Sequence, residues 1–249
     1  METMSQNPVR RSCAQPHHCS PEVRLKAMAR SPLLRDMDVD EHRDLDQYLS
    51  AWSWAEGDPV ILAGDEITGS YLLVAGRARV TRDTIDGREI TVDIAAPGDV
   101  IGPLHTHPSQ AVDSAWAMET TCALYLPADS LAEVITRHPT LALSIVRMQQ
   151  EHLTQSRERN VGQTTTTVEQ RVGAALRRLD GKFGEHQQDG SSLLQVRLRR
   201  DDIAGMAGTT VESASRAMAK MKKAGIINSG REWVAILDRD ALEDLVDGE

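Results

Sequence analysis

The chain has 249 residues, a formal net charge of −9, three cysteines and only 3% aromatics, with 40% hydrophobic and 26% charged residues. That is a normal globular mix, long enough for one large domain or two modest ones, each able to bury a core without disulfides. No apolar run approaches the roughly 20 residues of a membrane span, and the start METMSQNPVRRSCAQPHHCSPEV carries no secretory signal, so a cytoplasmic chain with reduced cysteines is expected and an odd cysteine count argues against a disulfide framework.

Residues 1–21 are polar and hold Cys13, His17, His18 and Cys19, which suggests an arm. Residues 22–50 predict one or two short helices, with Leu25, Met28, Leu33, Leu34, Leu45 and Leu49 at roughly helical spacing. From about 52 to 127 the runs DPVILAG, SYLLVAGRARVTRD, EITVDIAAPGDVIG and TTCALYLP alternate with Gly and Pro. Short strands so spaced predict a barrel or sandwich, with a two-residue hairpin turn at Asp86-Gly87.

ADSLAEVITRHP predicts a short helix stopped by Pro139, and a long helix follows from about Thr140 to Asn160. Its seam runs Leu141, Ile145, Met148, His152, Gln155 and Arg159, apolar first and polar afterwards. This predicts a dimer interface over Leu141, Ile145, Met148 and His152, weak enough to be biased by a signal. Val168, Val172, Ala175, Leu176 and Leu179 share one face of the next helix. GEHQQDGSS reads as a loop, LLQVRLRR as a strand, DDIAGMAGTTVESASRAMAKMKKAGII as helix–turn–helix, NSGREWVAILD as a strand–turn–strand wing and ALEDLV as a last helix. The organisation is an arm at 1–21, a β-rich sensor domain with flanking helices at 22–138, a dimerisation helix at 139–164 and a winged helix–turn–helix at 165–249. The class is α+β.

The net charge is a sum of unlike parts. From Arg197 to Arg231 there are eight basic residues against three acidic ones, whereas Asp36 to Asp46 holds six acids to one base. In the basic stretch Asp201 and Asp202 start the first helix, where its dipole favours carboxylates. Ala204 and Gly205 are small, as a close helix crossing requires. Gly208 suits the turn, Thr209 or Thr210 caps the second helix, and Thr209 with Glu212 fits a capping box. The second helix buries Val211, Ala214, Met218 and Met221. It presents Glu212, Ser215 and Arg216, then Lys220, Lys222 and Lys223. Arg donates twice to guanine, Glu accepts from cytosine, and lysines suit phosphates, so double-stranded DNA is the expected partner.

Over about residues 30–246 the chain resembles the CRP/FNR transcription regulators. The blocks LAGDEITGSYLLVAGRARV, PGDVIG, EQRVGAAL and LRRDDIAGMAGTTVESASRAMAKMKKAGII carry the likeness. It implies an N-terminal β-roll of the cyclic-nucleotide-binding type, a dimerising helix and a C-terminal winged helix–turn–helix. It also implies a homodimer and RNA polymerase as a partner. VESASR resembles the E-x-x-S-R pattern of the FNR branch, which reads a TTGAT-like inverted repeat. The resemblance puts Thr210, Val211, Glu212, Ser215, Arg216 and Lys220 at the DNA, with the two recognition helices about 34 Å apart.

The family's cyclic-AMP site pairs Gly-Glu with a later Arg-Ser. Here Pro103 follows Gly102, and Asp113-Ser114 stands for Arg-Ser, which opposes cyclic AMP because a carboxylate repels its phosphate. FNR ligates a [4Fe-4S] cluster with arm cysteines and one roll cysteine. The resemblance implies such a cluster on Cys13, Cys19 and Cys122, with His17 or His18 as the fourth ligand. The close Cys-x-x-Cys pair is absent, and Cys122 is offset by two from the family ligand. The sensed signal is then oxygen, nitric oxide or redox state. The alternatives are a Cys13–Cys19 thiol switch and a haem sensor using His105, His107 or His152. No catalytic constellation is present beyond a weak cupin-like His105-x-His107, so an enzyme is not expected.

Overall fold

The computed structural model describes residues 14–248; Cys13 lies outside them. The chain divides into two compact units, one from residues up to 80 with 94–146, the other from 81–93 with 147 onward. The division falls inside the long helix, not at either of its ends.

The first unit opens with a short strand, β1 (Gln15–Pro16), and two helices, α1 (Pro21–Arg30) and α2 (Val39–Asp46). Ser20 caps α1, with Pro21 at its first helical position, where the missing N–H costs nothing. Asp38 and Glu41 form a reciprocal capping box on α2. Arg24 joins the helices, donating to Asp46 Oδ1 at 2.6 Å and to the Leu49 carbonyl at 2.8 Å.

The strands are β2 (Ser50–Trp54), β3 (Pro59–Ile61), β4 (Glu66–Ile67), β5 (Gly69–Ala75), β6 (Ala78–Asp83), β7 (Glu89–Ala95), β8 (Val100–Ile101), β9 (Ser109–Gln110), β10 (Ser114–Ala117) and β11 (Thr121–Pro127). One sheet runs β1-β2-β11-β5-β8, another β3-β10-β6-β7, with β4 and β9 as a separate pair. The roll core includes Trp54, Val60, Ile61, Leu73, Ile101 and Ala123. The β6–β7 connection covers residues 84–88, and the Thr84–Arg88 pair encloses three residues, Ile85 to Gly87, not two. Thr84 bonds Arg88 across it, Gly87 N–H returns to the Thr84 carbonyl, and Gly87 takes φ +76°. A left-handed glycine in the third position is a common form of the three-residue hairpin loop.

The short helix α3 (Ala128–Arg137) buries Leu131 and Val134. The long helix α4 spans Pro139–Thr165. Its first turns belong to the first unit. Leu141 is 2% exposed there, and Leu141 and Ile145 line an apolar cavity with Leu34, Leu72, Leu124 and Leu131. Two members of the expected dimer seam therefore face their own roll. The exposed apolar residues of α4 are Leu143, Val146, Leu153 and Val161.

In the second unit α5 (Val168–Phe183) carries a Thr167–Gln170 capping box and buries Val172, Ala175, Leu176 and Leu179. A sheet ordered β12-β13-β15-β14 follows, from β12 (Gly184–His186), β13 (Ser192–Leu194), β14 (Ile227–Gly230) and β15 (Trp233–Ile236). The segment expected as a loop thus contains a strand, and the expected LLQVRLRR strand stops at Leu194. Helices α6 (Arg200–Met206), α7 (Val211–Lys223) and α8 (Arg239–Asp247) complete it. Among the described residues no helix is long and apolar enough to cross a membrane.

Candidate nucleic-acid interface and thiol centre

Helix α7 is anchored by Ala214, Ala217, Met218 and Met221, each at most 4% exposed. This periodicity fixes what remains outside: Glu212, Arg216, Lys220 and Lys223 are exposed and Ser215 is half-buried. Val211 is 39% exposed, so it does not belong to the inner face. The turn before α7 needs Gly208 at φ +58°. The cap is Thr210, whose Oγ1 accepts from Ser213 N–H at 3.2 Å. The expected Thr209–Glu212 capping box is not formed, which leaves the Glu212 carboxylate on the outer face.

Arg216 donates from Nη2 to Ser213 Oγ at 3.2 Å. The basic residues differ in availability. Lys220 pairs with Glu169 at 2.7 Å while staying 70% exposed. Lys222 donates to the Ser229 carbonyl at 3.0 Å, and Arg200 is half-buried against Met218 and Ser229. Sequence periodicity within α7 could not reveal Glu169, which lies on α5 and is 51 residues away.

Asp202 lies in the first turn of α6, as expected, and is 1% exposed. It accepts from Arg199 N–H at 2.8 Å and from Thr91 Oγ1 at 2.9 Å, all within the second unit. Gly205 is small for a related reason. A Cβ there would lie 2.6 Å from the Thr91 carbonyl oxygen, so the close approach is to a strand and not to a helix.

The second site lies at the arm. Pairing sets β1 on one side of β2 and β11 on the other, with Gln15 and Cys122 both opposite Ser53. His17 N–H then bonds the Ala51 carbonyl at 3.0 Å. Ser20 begins α1 just after Cys19, so that cysteine is held between a strand and a helix cap. On β11 the register against β5 shifts between Cys122 and Ala123, an irregularity that re-aims side chains. Cys19 Sγ and Cys122 Sγ stand 3.2 Å apart, and a ring nitrogen of His17 completes a set whose atoms all lie within 4.8 Å. Cys122 is buried, Cys19 half-buried and His17 exposed. Burial, then the neighbouring Cys19 sulfur, pushes the Cys122 thiol up to about 12, against a smaller lowering by the Arg24 charge.

His18 is exposed and is not part of this set. His105 has both ring nitrogens engaged, one with the His107 carbonyl and one with Ser109 Oγ, and its ring stacks on His107 at 4.8 Å. This opposes His105 as a metal or haem ligand. His152 is exposed on α4. Where a cyclic nucleotide would be expected, the Pro103 carbonyl accepts from Ser70 Oγ, and Ser114 Oγ accepts from Ala63 N–H at 3.0 Å.

Residues 51–138 match the cyclic nucleotide-binding domain, and residues 170–245 the Crp-like helix-turn-helix domain. The fumarate and nitrate reduction regulatory protein of Yersinia pestis is 26% identical over 192 residues, 76% of each chain. The CRP-like cAMP-activated global transcriptional regulator of Mycobacterium tuberculosis is 24% identical over 216 residues, 86% of this chain and 96% of that one. FixK2 of Bradyrhizobium japonicum has the same fold, with a TM-score of 0.68 at 23% identity over 79% of this chain and 96% of its own. A roll followed by a winged helix–turn–helix with an exposed polar recognition face defines a DNA-binding transcription regulator, not an enzyme. The chain belongs to the CRP/FNR family.

Proposed function

We propose that this regulator acts as a cytoplasmic homodimer, reads a TTGAT-like inverted repeat and works with RNA polymerase. The outer face of α7 carries the reading: Glu212, Ser215 and Arg216 lie within about one turn, above a fully buried inner face. Arg216 and Glu212 read the G·C step, Ser215 lies against thymine, and Thr210 and Val211 stand at the end of the helix that enters the groove. Lys220 contacts phosphate once it leaves Glu169. The dimer seam runs along Leu143, Val146, Leu153 and Val161, with Met148 and His152 beside it, because Leu141 and Ile145 are occupied by their own roll.

The signal enters at the arm–roll thiol centre, as oxygen, nitric oxide or redox state. Cyclic AMP is disfavoured by Pro103 and Asp113. An iron–sulfur cluster, the ligand implied by likeness to the FNR branch, supplies oxidant-sensitive redox chemistry when bound. The described donors do not fit a cubane as they stand. There are three of them, and the two sulfurs are 3.2 Å apart, whereas a cubane takes each terminal thiolate on a different iron. Cluster binding therefore requires Cys19 and Cys122 to separate and a fourth ligand to join. A TTGAT inverted-repeat probe, titrated with the protein in thiol-reduced and oxidised form, tests this reading. Tighter binding to the repeat than to scrambled DNA, changing with redox state, is expected. Equal affinity for both probes overturns it.

A further inference from the structure

Two cysteines 103 residues apart meet at van der Waals distance or closer, with an imidazole beside them. We propose that His17, Cys19 and Cys122 hold one tetrahedral, thiophilic divalent cation, with the fourth position open to water or another small ligand. The inference rests on the arm–roll centre being the signal input. It names the ligand of that centre as a single ion instead of a multinuclear cluster.

The geometry supports this in three ways. With metal–sulfur bonds of about 2.3 Å, a tetrahedral ion holds two thiolates about 3.8 Å apart. Cys19 and Cys122 need to open only slightly from 3.2 Å to reach that separation. Both sulfurs and the His17 nitrogen fall inside 4.8 Å, so one ion reaches all three after small side-chain movements. Finally, the donors are graded from buried Cys122 to exposed His17, which leaves an entry path on the solvent side.

The chemistry also balances. Two thiolates neutralise a divalent ion, so burying the loaded site buries no net charge from this set. Loading releases the two thiol protons to solvent, with no change in oxidation state. The ion ties the arm to the central strand β11 across β2. It replaces the weak sulfur–sulfur contact with coordinate bonds.

The test uses the purified full-length chain, stripped of metal under reducing conditions and titrated with Co²⁺ alone. Expected are one Co²⁺ per protomer, intense tetrahedral d–d absorption and thiolate charge-transfer bands, followed by displacement with Zn²⁺. Cys19→Ser, Cys122→Ser and His17→Ala each weaken binding at least tenfold. His17→Ala and Cys19→Ser lie on the accessible arm and keep the test informative if Cys122→Ser fails to fold. In parallel, the stripped protein is incubated with Fe²⁺ and sulfide. Absence of Co²⁺ binding overturns the inference. So does uptake of four irons and four sulfides per protomer, or a Cys19–Cys122 disulfide that persists in the presence of a dithiol reductant. Four-iron uptake would leave the thiol centre standing as the signal input; redox-independent DNA affinity would remove that broader reading separately.

Discussion

Replacing Arg216 by alanine isolates base reading from everything else the second unit does. The side chain is exposed, and its link to Ser213 Oγ at 3.2 Å is a surface hydrogen bond. Its loss leaves the buried face of α7 untouched, so the melting temperature should not move by more than about a degree or two. Bound to DNA, a bidentate arginine–guanine pair is worth about 1–3 kcal/mol. A symmetric dimer makes it twice, so the cost is about 2–6 kcal/mol, or roughly 30-fold to 2 × 10⁴-fold in affinity. Fluorescence anisotropy measures this with two probes, the TTGAT inverted repeat and the same repeat with its G·C pairs exchanged for A·T. Arg216→Ala should lose affinity for the first and bind the second about as well as the unmodified protein does. An equal loss on both probes would show that Arg216 serves the phosphates, and the reading of the recognition face would fail.

Four further outcomes follow from the geometry. Leu153→Glu should convert the dimer to monomer by light scattering with little change in thermal stability, because Leu153 is 45% exposed. Leu141→Ala should lower stability by about 2–5 kcal/mol while sparing the dimer, since it deletes a buried side chain next to an existing cavity. Thr210→Ala should cost about 1 kcal/mol in denaturant titration through loss of the α7 cap. In metal-free protein, Cys122 should resist iodoacetamide at pH 8. Burial and the neighbouring Cys19 sulfur push its thiol up to about 12, so little of it is reactive thiolate at pH 8, and labelling should accelerate as pH rises further. Rapid labelling of Cys122 at pH 8 by peptide mass analysis would contradict that burial.

Helix α7 was legible because its apolar residues repeat at helical spacing and Gly208 marks the turn. The roll was legible because glycines punctuate its strands. Three features were not. The partner of the α4 seam was not legible, because the helix carries two apolar stripes and periodicity alone cannot say that Leu141 and Ile145 meet their own roll. Strand β12 is polar and three residues long, so it has no hydrophobic signature. The loop at Asp86-Gly87 holds three residues with the left-handed glycine third, and a dipeptide motif fits two-residue and three-residue loops alike. At the thiol centre, the residue types pointed to Cys13, Cys19, Cys122 and a histidine, of which Cys13 lies outside the described residues. Choosing His17 over His18 depends on the register of β1 against β2, which only the paired backbone fixes.

The two-residue strand β1 also has a protective role. It is the outermost strand of its sheet, and without it β2 would present an unpaired edge. Pro16 within β1 has no N–H to offer, so the sheet cannot readily grow past it. Any signal that releases the arm therefore uncovers a row of backbone donors and acceptors able to pair with another chain. If the signal works by releasing the arm, the signalling state and the aggregation-prone state share one movement, and the time the arm then spends detached sets how much self-association the protein must tolerate.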